Sequence, residues 1–472
     1  MVSKTYKTDT LIVKFGGTSV GTPEAMQQTL QIIQKEFEAG KHVVVVTSAL
    51  SGITDMLLRL SGKNERLSAP LITKLADEIH TRHQLIADRL ILDEATNAKT
   101  MTEIEGLISH VVNLSQAIAV LGEATPRVLD AIASVGERMS VLLLSAALRT
   151  NGYTSESIEA TKLIVTDDHY TDAHPLWSET REATRSVLLP LLDKRIIPVV
   201  TGFIAATKDG NITTLGRGGS DYSAALIGAA LPADDVWIFT DVDGVMTADP
   251  RLIPDARTVP QCSYREIAEL AYFGAKVLHP KTIRPVIEAG IGLRVCNTFN
   301  PDHPGTRLFA ELKGQPGIIK AITTISGLKL ITLEGRGMLG VPGVAARTFE
   351  TVARIGTSVP LISQASSEQS ICFAVPASAA PKVVKAISEA FSNEIKNRDI
   401  DRVWATEEVG IVTVVGEGMR STPGVAGRIF SALGAEKANV IAIAQGSSEV
   451  SISLIVDAAD IVTALRTLHR LV

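Results

Sequence analysis

Two glycine-rich segments each carry a cationic side chain that is suited to binding an anion. Lys14 ends a short apolar run and is followed by four small residues, Gly16, Gly17, Thr18 and Ser19. In the second segment, residues 216–221, Arg217 lies between glycines and Asp221 opens a helical pattern. Glycine lets backbone N–H groups approach a phosphate closely, and lysine or arginine supplies positive charge. Alone, each segment is better explained by a turn with a solvated cation or a helix cap. Neither is a Walker A loop, because no G-K-[ST] follows.

Two more segments place polar residues where a predicted strand ends. Residues 240–244 contain Thr240, Asp241 and Asp243. The further acidic positions of an EF-hand loop are absent, so a nucleotide-contacting loop is favoured over a calcium site. Lys276, within residues 273–280, adds a basic side chain after a glycine. By itself it is best explained as a surface lysine.

The elements that must position these residues follow an alternating pattern. Residues 11–15 read as a strand, and Thr22 with Pro23 begins a helix. Residues 42–47 contain four consecutive valines, which is typical of a strand buried on both faces. Strand, helix and buried strand predict a parallel sheet. Further strands are expected at residues 197–202, 212–215, 236–240 and 293–296, and residues 62–133 are helical in pattern. The sequence predicts an α/β sandwich to about residue 300.

The remainder of the chain contains an internal repeat with a constant offset of 81 residues. Residues 335–349 match 416–430, and residues 362–371 match 443–452. Each copy reads strand, helix, strand, strand, helix, and the first copy adds a strand near residues 402–405. The equivalent strand of the second copy would lie beyond Val472. We expect residues 318–322, just before the first copy, to fill that place, so that the two copies interlock.

Composition excludes several classes of protein. The chain has 472 residues with 45% hydrophobic and 21% charged residues, which is ordinary for a soluble protein of more than one domain. A net charge of −5 gives no basic surface for nucleic acid. No uninterrupted apolar run is long enough for a membrane helix. Cys262, Cys296 and Cys372 are far apart and odd in number, which favours free thiols in a reducing cytoplasm.

The order and spacing of these four segments resemble those of the aspartate kinases, and the repeat resembles their paired ACT domains. The resemblance implies a three-layer αβα sandwich of the amino acid kinase type, followed by two interlocked ferredoxin-like βαββαβ domains. The expected boundaries are 1–305 for the kinase domain, 327–408 for the first ACT domain, and 317–326 plus 409–472 for the second. Bifunctional relatives continue into a homoserine dehydrogenase domain, and this chain ends first, so a monofunctional enzyme is expected.

The resemblance also implies roles for individual residues. Lys14 and Asp221 would be catalytic, and Asp221 would orient the reacting groups or the Mg²⁺ that accompanies ATP. Aspartate would be bound by Ser48, Thr54, Glu137, Phe203, Arg217 and Ser220. ATP would be bound by Lys14, Gly16, Gly17, Thr18, Ser19, Thr240, Asp241, Met246, Arg251 and Lys276. Met246 departs from the family, in which tyrosine is common at this position. The acceptor carboxylate is already ionised near neutral pH, so catalysis would need positioning and charge neutralisation rather than a general base.

Paired ACT domains of aspartate kinases bind an end-product amino acid between subunits, which implies a homo-oligomer, either a dimer or a tetramer. Effector binding is assigned to Met338, Gly340, Val341, Val359, Gln364, Glu368 and Gln445. The segments around Gln364 and Gln445 resemble the threonine-sensitive class more than the lysine-sensitive class. Threonine is therefore the favoured effector and lysine the second. The alternative is that both copies are purely structural units.

Three other functions compete with this interpretation. Residues 335–340 fit the dinucleotide pattern G-x-G-x-x-G, but the second copy has Ser421 at the third glycine and no Rossmann unit follows. A non-catalytic amino-acid sensor would not need Lys14 and Arg217 on phosphate-facing loops. Kinases of glutamate, N-acetylglutamate or UMP share the sandwich, but residues 48–54, Glu137 and the paired ACT units favour aspartate.

Overall fold

The computed structural model describes residues 9–63, 65–275, 278–310, 319–364, 369–419, 421–445 and 450–472. The chain divides into two compact units. The first contains residues 1–245, 260–264 and 277–310, and the second contains residues 246–259, 265–276 and 311–472. The segments 246–259 and 265–276 therefore group with the C-terminal part of the chain, although the sequence places them between strands of the first unit.

The first unit alternates strands with helices as the sequence predicts. Its strands are β1 (Thr10–Phe15), β2 (His42–Thr47), β3 (Ser155–Ile158), β4 (Val165–Thr166), β5 (Ile197–Thr201), β6 (Ile204–Thr207), β7 (Ile212–Thr214), β8 (Asp235–Thr240), β9 (Gln261–Ser263), β10 (Gly292–Asn297) and β11 (Thr306–Phe309). Its helices are α1 (Gly17–Val20), α2 (Pro23–Glu38), α3 (Ile53–Leu60), α4 (Ala69–Leu90), α5 (Glu94–Leu121), α6 (Pro126–Ala133), α7 (Val135–Thr150), α8 (Trp177–Asp193), α9 (Gly219–Ala230) and α11 (Pro280–Ala289).

An eight-stranded sheet in the order β3-β5-β2-β1-β8-β10-β11-β9 forms the middle layer. The pairings from β3 to β10 are parallel, whereas β11 is antiparallel to β10. Alternate residues of β1 face opposite sides of the sheet. Val13 belongs to the core formed with α2 and α7, whereas Ile12 lies against Gly228 of α9 on the other face. Helices thus cover both faces, which confirms the predicted three-layer sandwich.

The helical pattern predicted for residues 62–133 is confirmed by α4, α5 and α6. The strand predicted at residues 212–215 is β7, but it belongs to a second sheet, in the order β4-β6-β7, that the sequence does not predict. Among the described residues, two helical stretches could cross a membrane by length and composition alone, Glu94–Leu121 and Pro126–Thr150. The second is largely enclosed by the protein and includes α7, which packs on the sheet. Core helices pass the same test, so these stretches are weak evidence for a membrane span.

The second unit contains α10 (Tyr264–Tyr272) and the two repeat copies. Its other elements are β12 (Ala321–Glu334), α12 (Val344–Arg354), β13 (Leu361–Gln364), β14 (Ser370–Pro376), α13 (Ala380–Ala390), α14 (Ser392–Lys396), β15 (Arg402–Val415), α15 (Val425–Ala435), β16 (Val440–Ala444), β17 (Ser451–Asp457) and α16 (Ile461–His469). The strands form one sheet in the order β13-β14-β12-β15-β17-β16.

Two long strands, β12 and β15, are shared between the copies. They pair antiparallel from Ala321↔Val415 to Glu334↔Arg402, with irregularities between Ile325 and Leu328 and between Lys329 and Ile331. The second half of β12 also pairs with β14, and the second half of β15 also pairs with β17. The second half of β12 and the first half of β15 thus belong to the first copy, and the first half of β12 supplies the fourth strand of the second copy. This confirms the predicted interlocking, although the strand begins at Ala321 and residue 318 lies outside the described residues.

Candidate active site

The carboxyl ends of four neighbouring parallel strands meet at one edge of the large sheet. The register aligns Phe15 of β1 with Thr47 of β2 and Phe239 of β8, and aligns Thr47 with Thr201 of β5. Lys14 therefore lies one residue before the end of the central strand. The loops that follow these strands carry most of the site residues predicted from the sequence, as expected for ligand sites in α/β sheets.

A cavity of about 360 Å³ opens at this edge. Its walls come from β1, the β2–α3 loop, the start of α7, the β5–β6 connection and the turn before α9. All eight residues predicted to be catalytic or to bind aspartate line it: Lys14, Ser48, Thr54, Glu137, Phe203, Arg217, Ser220 and Asp221. Segments that are more than 200 residues apart in sequence are therefore brought to a single site.

Lys14 and Asp221 form an ion pair within the cavity. The Lys14 Nζ lies 2.5 Å from Asp221 Oδ1, and the side chains are 10% and 15% exposed. Their low exposure means that solvent screens the pair only weakly. An ammonium and a carboxylate placed this close can act on one phosphate, because the lysine attracts it and the carboxylate fixes the lysine or a metal ion.

Glu137 is the most deeply buried acid of the cavity. It lies in the first turn of α7 and is 3% exposed. Burial raises the pKa of its carboxyl to about 8, opposed by a hydrogen bond from the Ala49 backbone and, more weakly, by the Lys14 charge. Its Oε2 has no hydrogen-bond partner within the described residues. An unpartnered buried carboxyl oxygen is suited to receive a donor from a ligand.

The turn that carries Arg217 is tightly enclosed. Gly216 and Gly218 both have φ +73, and Gly218 is the N-cap of α9. A Cβ atom on Gly218 would lie 2.4 Å from His279 Cβ, so only glycine fits there. Phe203 has φ +67, which is a strained conformation for a side-chain-bearing residue and is typical of functional sites. The N-terminal end of α9 thus faces the cavity with its backbone N–H groups.

The sequence analysis missed His279 and Lys281 as neighbours of Arg217. His279 caps α11, and its Nδ1 accepts from the Lys281 N–H at 3.3 Å. Burial, followed by the charges of Lys281 and Arg217, lowers the pKa of His279. Lys281 is ion-paired with Asp172. The sequence His279-Pro280-Lys281, with proline at the first position of a helix, was the signal that could have indicated this helix start.

Asp130 was also missed, because nothing in the sequence distinguishes it from a helix-surface acid. It lies on α6 and is 1% exposed. Its Oδ2 accepts from the Thr171 N–H at 2.9 Å and the Thr214 N–H at 3.1 Å, and its Oδ1 accepts from Thr214 Oγ1 at 2.7 Å. Burial raises the pKa of this carboxyl despite these three hydrogen bonds.

The residues predicted to bind nucleotide are more dispersed. Gly17 lines the cavity, and the Gly16 N–H donates to the Phe239 carbonyl at 3.3 Å. Thr240 ends β8 next to Asp241, and Thr240 Oγ1 donates to Asp241 Oδ1 at 3.2 Å. Thr18 is exposed. Gly16, Gly17 and Thr18 thus share one sheet edge with Thr240 and Asp241.

Ser19 does not present its side chain to this edge. It is fully buried, and its hydroxyl bonds to Thr298 Oγ1 at 2.7 Å, while its N–H donates to the Gly16 carbonyl at 3.0 Å. Both polar groups are used inside the protein, so Ser19 supports the turn instead of offering its side chain to a ligand.

Two further nucleotide assignments, Met246 and Arg251, belong to the second unit. Met246 pairs with Thr258 in an isolated bridge. The Arg251 guanidinium is ion-paired with Asp249 and is 75% exposed. Lys276 lies outside the described residues.

The predicted effector residues lie in the two ACT copies. Gln364 ends β13, and Gln445 follows β16, at the two edges of the six-stranded sheet; both are exposed. These edges approach one another, since Ser363 Oγ donates to the Ile443 carbonyl at 3.4 Å. Val341 is 51% exposed and Gly340 has φ +70, but Met338 is 3% exposed and packs in the first copy's core with Val359 at its margin. Glu368 lies outside the described residues.

Comparison with known proteins agrees with the fold. Residues 9–297 match the model of the amino acid kinase family, and residues 331–391 and 412–471 match an ACT domain model. The parallel sandwich, the cavity at its strand ends and the tandem ACT copies together define an amino acid kinase with a regulatory region.

Solved structures and curated relatives narrow this class. E. coli aspartokinase III in complex with aspartate and ADP is 30% identical, with a TM-score of 0.80 over 98% of this chain and 99% of that one. The structure of the same enzyme in complex with lysine and aspartate is 31% identical in sequence, with a TM-score of 0.79. Aspartokinase 2 of Arabidopsis thaliana is 31% identical over 99% of this chain and 85% of the relative. The chain belongs to the aspartokinase family.

Several curated relatives are longer bifunctional proteins. The aspartokinase/homoserine dehydrogenase of Haemophilus influenzae is 35% identical over 97% of this chain and 56% of its own length. The corresponding carrot protein is 38% identical over 97% of this chain and 50% of its own length. The chain thus spans about half the length of these relatives.

Proposed function

We propose that the chain transfers the γ-phosphoryl group of ATP to the side-chain carboxylate of L-aspartate, forming 4-phospho-L-aspartate. The observation that carries this proposal is the cavity itself. It places the Lys14–Asp221 ion pair, the exposed cation of Arg217 and the buried Glu137 around one space large enough for a small amino acid. Family membership supports the same reaction, because E. coli aspartokinase III was crystallised with aspartate and ADP.

Each charged group of the proposed substrate has a counterpart in the cavity. Arg217 forms no ion pair within the described residues and can clamp the α-carboxylate, with Ser220 and Phe203 beside it. Glu137, once ionised, receives the α-ammonium. Lys14 lies where the side-chain carboxylate and the γ-phosphate must meet, and it offsets the repulsion between two anions. Positioning and charge neutralisation are the main contributions that such a transfer requires.

ATP would be accompanied by Mg²⁺, and the residues present fit that ion. Mg²⁺ is commonly held by one or two carboxylates together with substrate phosphates. Within the described residues no cluster of three or more metal-ligating side chains exists, so a dedicated protein cage is not offered. Asp221 is the carboxylate that would hold the ion. The metal would supply additional neutralisation of phosphate charge.

We propose that an end-product amino acid inhibits the enzyme through the ACT copies, with threonine favoured and lysine second. Gln364 and Gln445 are equivalent in the repeat, are exposed, and carry amides that can hydrogen-bond a hydroxyl. E. coli aspartokinase III was crystallised with lysine, which supports an amino acid as the class of effector. Calorimetric titration with threonine and then lysine separates the candidates. No heat with either would leave the copies as structural units.

The proposal extends to the setting of the reaction. It includes a homo-oligomer formed through the ACT copies, a cytoplasmic location, and a role in lysine, threonine and methionine biosynthesis. Two observations support the pathway and the location. The bifunctional relatives join aspartokinase to homoserine dehydrogenase. None of the three cysteines forms a disulfide within the described residues, which suits a reducing compartment.

The decisive experiment is an ADP-release assay with a panel of acceptors: aspartate, glutamate, N-acetylglutamate and UMP. Of these acceptors, we expect only aspartate to support ADP release. Hydroxylamine should trap the product, because the product is an acyl phosphate. ADP release that requires another acceptor would assign the cavity to a different kinase. Release without any acceptor would indicate an ATPase.

A further inference from the structure

The two sides of the cavity are joined by one buried carboxylate that does not itself line it. Asp130 lies on α6, seven residues before Glu137, and α6 runs into α7 at Ser134. On its other side Asp130 accepts both the N–H and the hydroxyl of Thr214, which is the last residue of β7. Thr214 is followed at once by Leu215 and the Arg217 turn. The carboxylate therefore connects the element that carries Glu137 to the strand that delivers Arg217.

Asp130 also fixes a loop that packs on the Arg217 turn. It accepts the N–H of Thr171, whose φ of +74 is a left-handed conformation that side-chain-bearing residues rarely adopt. The next residue, Asp172, lies so close to Gly216 that a Cβ there would be 2.3 Å from Asp172 Oδ1. Asp172 then pairs with Lys281 beside His279. The Ala173 N–H donates to the Thr214 carbonyl at 2.9 Å, which closes the arrangement.

We propose that Asp130 is a positioning residue that holds the Glu137 side and the Arg217 side of the cavity at a fixed separation, and so sets the affinity for aspartate. The proposal rests on the function proposed above, in which Glu137 and Arg217 bind the two α-substituents of one amino acid. Those substituents are joined through a single carbon atom. A small change in the separation of the two side chains weakens both contacts together, whereas ATP, bound through other groups, is affected less.

Two substitutions at this position separate hydrogen bonding from charge. Asp130→Asn retains an oxygen that can accept from both backbone N–H groups, and its amide can donate to the Thr214 hydroxyl. Asp130→Ala removes all three hydrogen bonds. We expect Asp130→Ala to raise the KM for aspartate about tenfold or more, because misplacement by an ångström is sufficient for such losses. Its KM for ATP should change by less than about twofold, and Asp130→Asn should restore most of the aspartate affinity.

Asp235→Ala is the matched control. Asp235 is a half-buried carboxylate, and it accepts from Trp237 Nε1 at 2.8 Å and from the Val236 N–H at 3.1 Å. It begins β8 and thus lies at the sheet edge opposite the cavity. The control should lower stability without changing either KM. If Asp130→Ala lowers stability as Asp235→Ala does and leaves the KM for aspartate unchanged, Asp130 is only structural and the proposal is overturned.

Hydrogen exchange gives a second measurement that does not depend on the substrate. Amides of residues 167–174 and 213–221 should exchange at least about tenfold faster in Asp130→Ala while the rest of the first unit keeps its protection. Uniformly faster exchange would contradict the proposal. If Asp130→Ala does not fold, Asp130→Glu, which lengthens the side chain by one methylene, should show the same pattern to a smaller degree. A wild-type protein inactive towards aspartate would refute the proposed function and leave the exchange result to be judged separately.

Discussion

At the level of single residues, the cavity holds an acid that is neutral at neutral pH next to a cation that is already paired. The pKa of Glu137 is raised to about 8 by burial, so its carboxyl is mostly protonated at pH 7 before substrate arrives. An ammonium group entering the cavity favours the ionised form. Binding of aspartate should therefore release a proton, and the apparent KM for aspartate should fall as pH rises from 6 to 8.

Burial of Glu137 should also make the stability of the protein depend on pH. Glu137 has a folded pKa above its ordinary value of 4.5, so the stability linked to its protonation is complete below pH 4.5 and is lost as pH rises towards 8. Glu137→Gln removes this loss. At pH 8 we expect the free energy of unfolding of the variant to exceed that of the wild type by on the order of a few kcal/mol. The variant should therefore unfold at a higher temperature. The difference should shrink at pH 5. Thermal unfolding at both pH values measures it, and an equal difference at both would contradict the assignment.

Activity should respond in the opposite direction in that variant. Glu137→Gln is expected to lose most aspartate affinity, and the fall of KM between pH 6 and 8 should disappear. A gain in stability together with a loss of affinity is expected when a carboxyl that binds substrate is buried at a cost to folding. If the pH dependence of the KM survives in the variant, a different group titrates.

Lys14 is expected to contribute to turnover more than to folding. Lys14→Ala should leave the fold intact and reduce turnover by about 10²–10³, because a charge-stabilising contact to the transferring group is lost. Lys35→Ala is the control, since Lys35 lies in the same unit with an exposed ion pair to Asp302. That control should keep normal kinetics. Circular dichroism establishes folding, and near-normal turnover in Lys14→Ala would refute its catalytic role.

At the level of elements, the glycine turn before α9 determines where Arg217 points. Gly218 combines a left-handed backbone with direct contact to His279, whereas Gly210 has a similar φ of +80 and no atom within 4 Å of an added Cβ. Gly210→Ala should therefore cost only the backbone strain, about 1 kcal/mol. Gly218→Ala should cost more and should also raise the KM for aspartate. Urea unfolding and kinetics of both variants test this, and equal behaviour of the two would show that the contact with His279 is unimportant.

The main elements were predictable because their signals are local. The valines of β2 and the strand-end position of Lys14 follow from composition and periodicity, and the repeat predicts the shared strands. The strand β7 was predicted at residues 212–215, but the sheet that it forms with β4 and β6 was not, because strands of two and four residues carry too little pattern. Asp130 and Asp172 were missed for another reason. Their importance depends on partners such as Thr214 and Lys281 that only the tertiary fold brings close.

At the scale of the whole molecule, the shared strands predict that both ACT copies unfold together. Trp404 reports on the first copy, because it pairs with Thr332 in the half of β12 that also joins β14. The other tryptophans, Trp177 and Trp237, lie in the first unit and can be replaced by phenylalanine. In that background, replacing the fully buried Leu454 of β17 by alanine (Leu454→Ala) should lower the unfolding free energy of the second copy by about 2–5 kcal/mol.

In the Leu454→Ala variant, the unfolding transition reported by Trp404 fluorescence should move to lower denaturant concentration, although Leu454 belongs to the other copy. Val462→Ala is the control, since Val462 is 39% exposed on α16. It should leave the transition where it was. Independent unfolding of the copies would appear as a Trp404 transition that ignores Leu454→Ala.

The division of β12 and β15 between the two ACT copies also limits how this region can change by deletion. The second copy is not continuous in the chain, because its fourth strand, the first half of β12, precedes the first copy. Deleting residues 321–408 would remove that strand from the second copy, and deleting residues 409–472 would leave the first half of β12 without its partner in β15. Loss of one copy is therefore disfavoured, and the two copies are expected to diverge by substitution while the pair is retained as a whole.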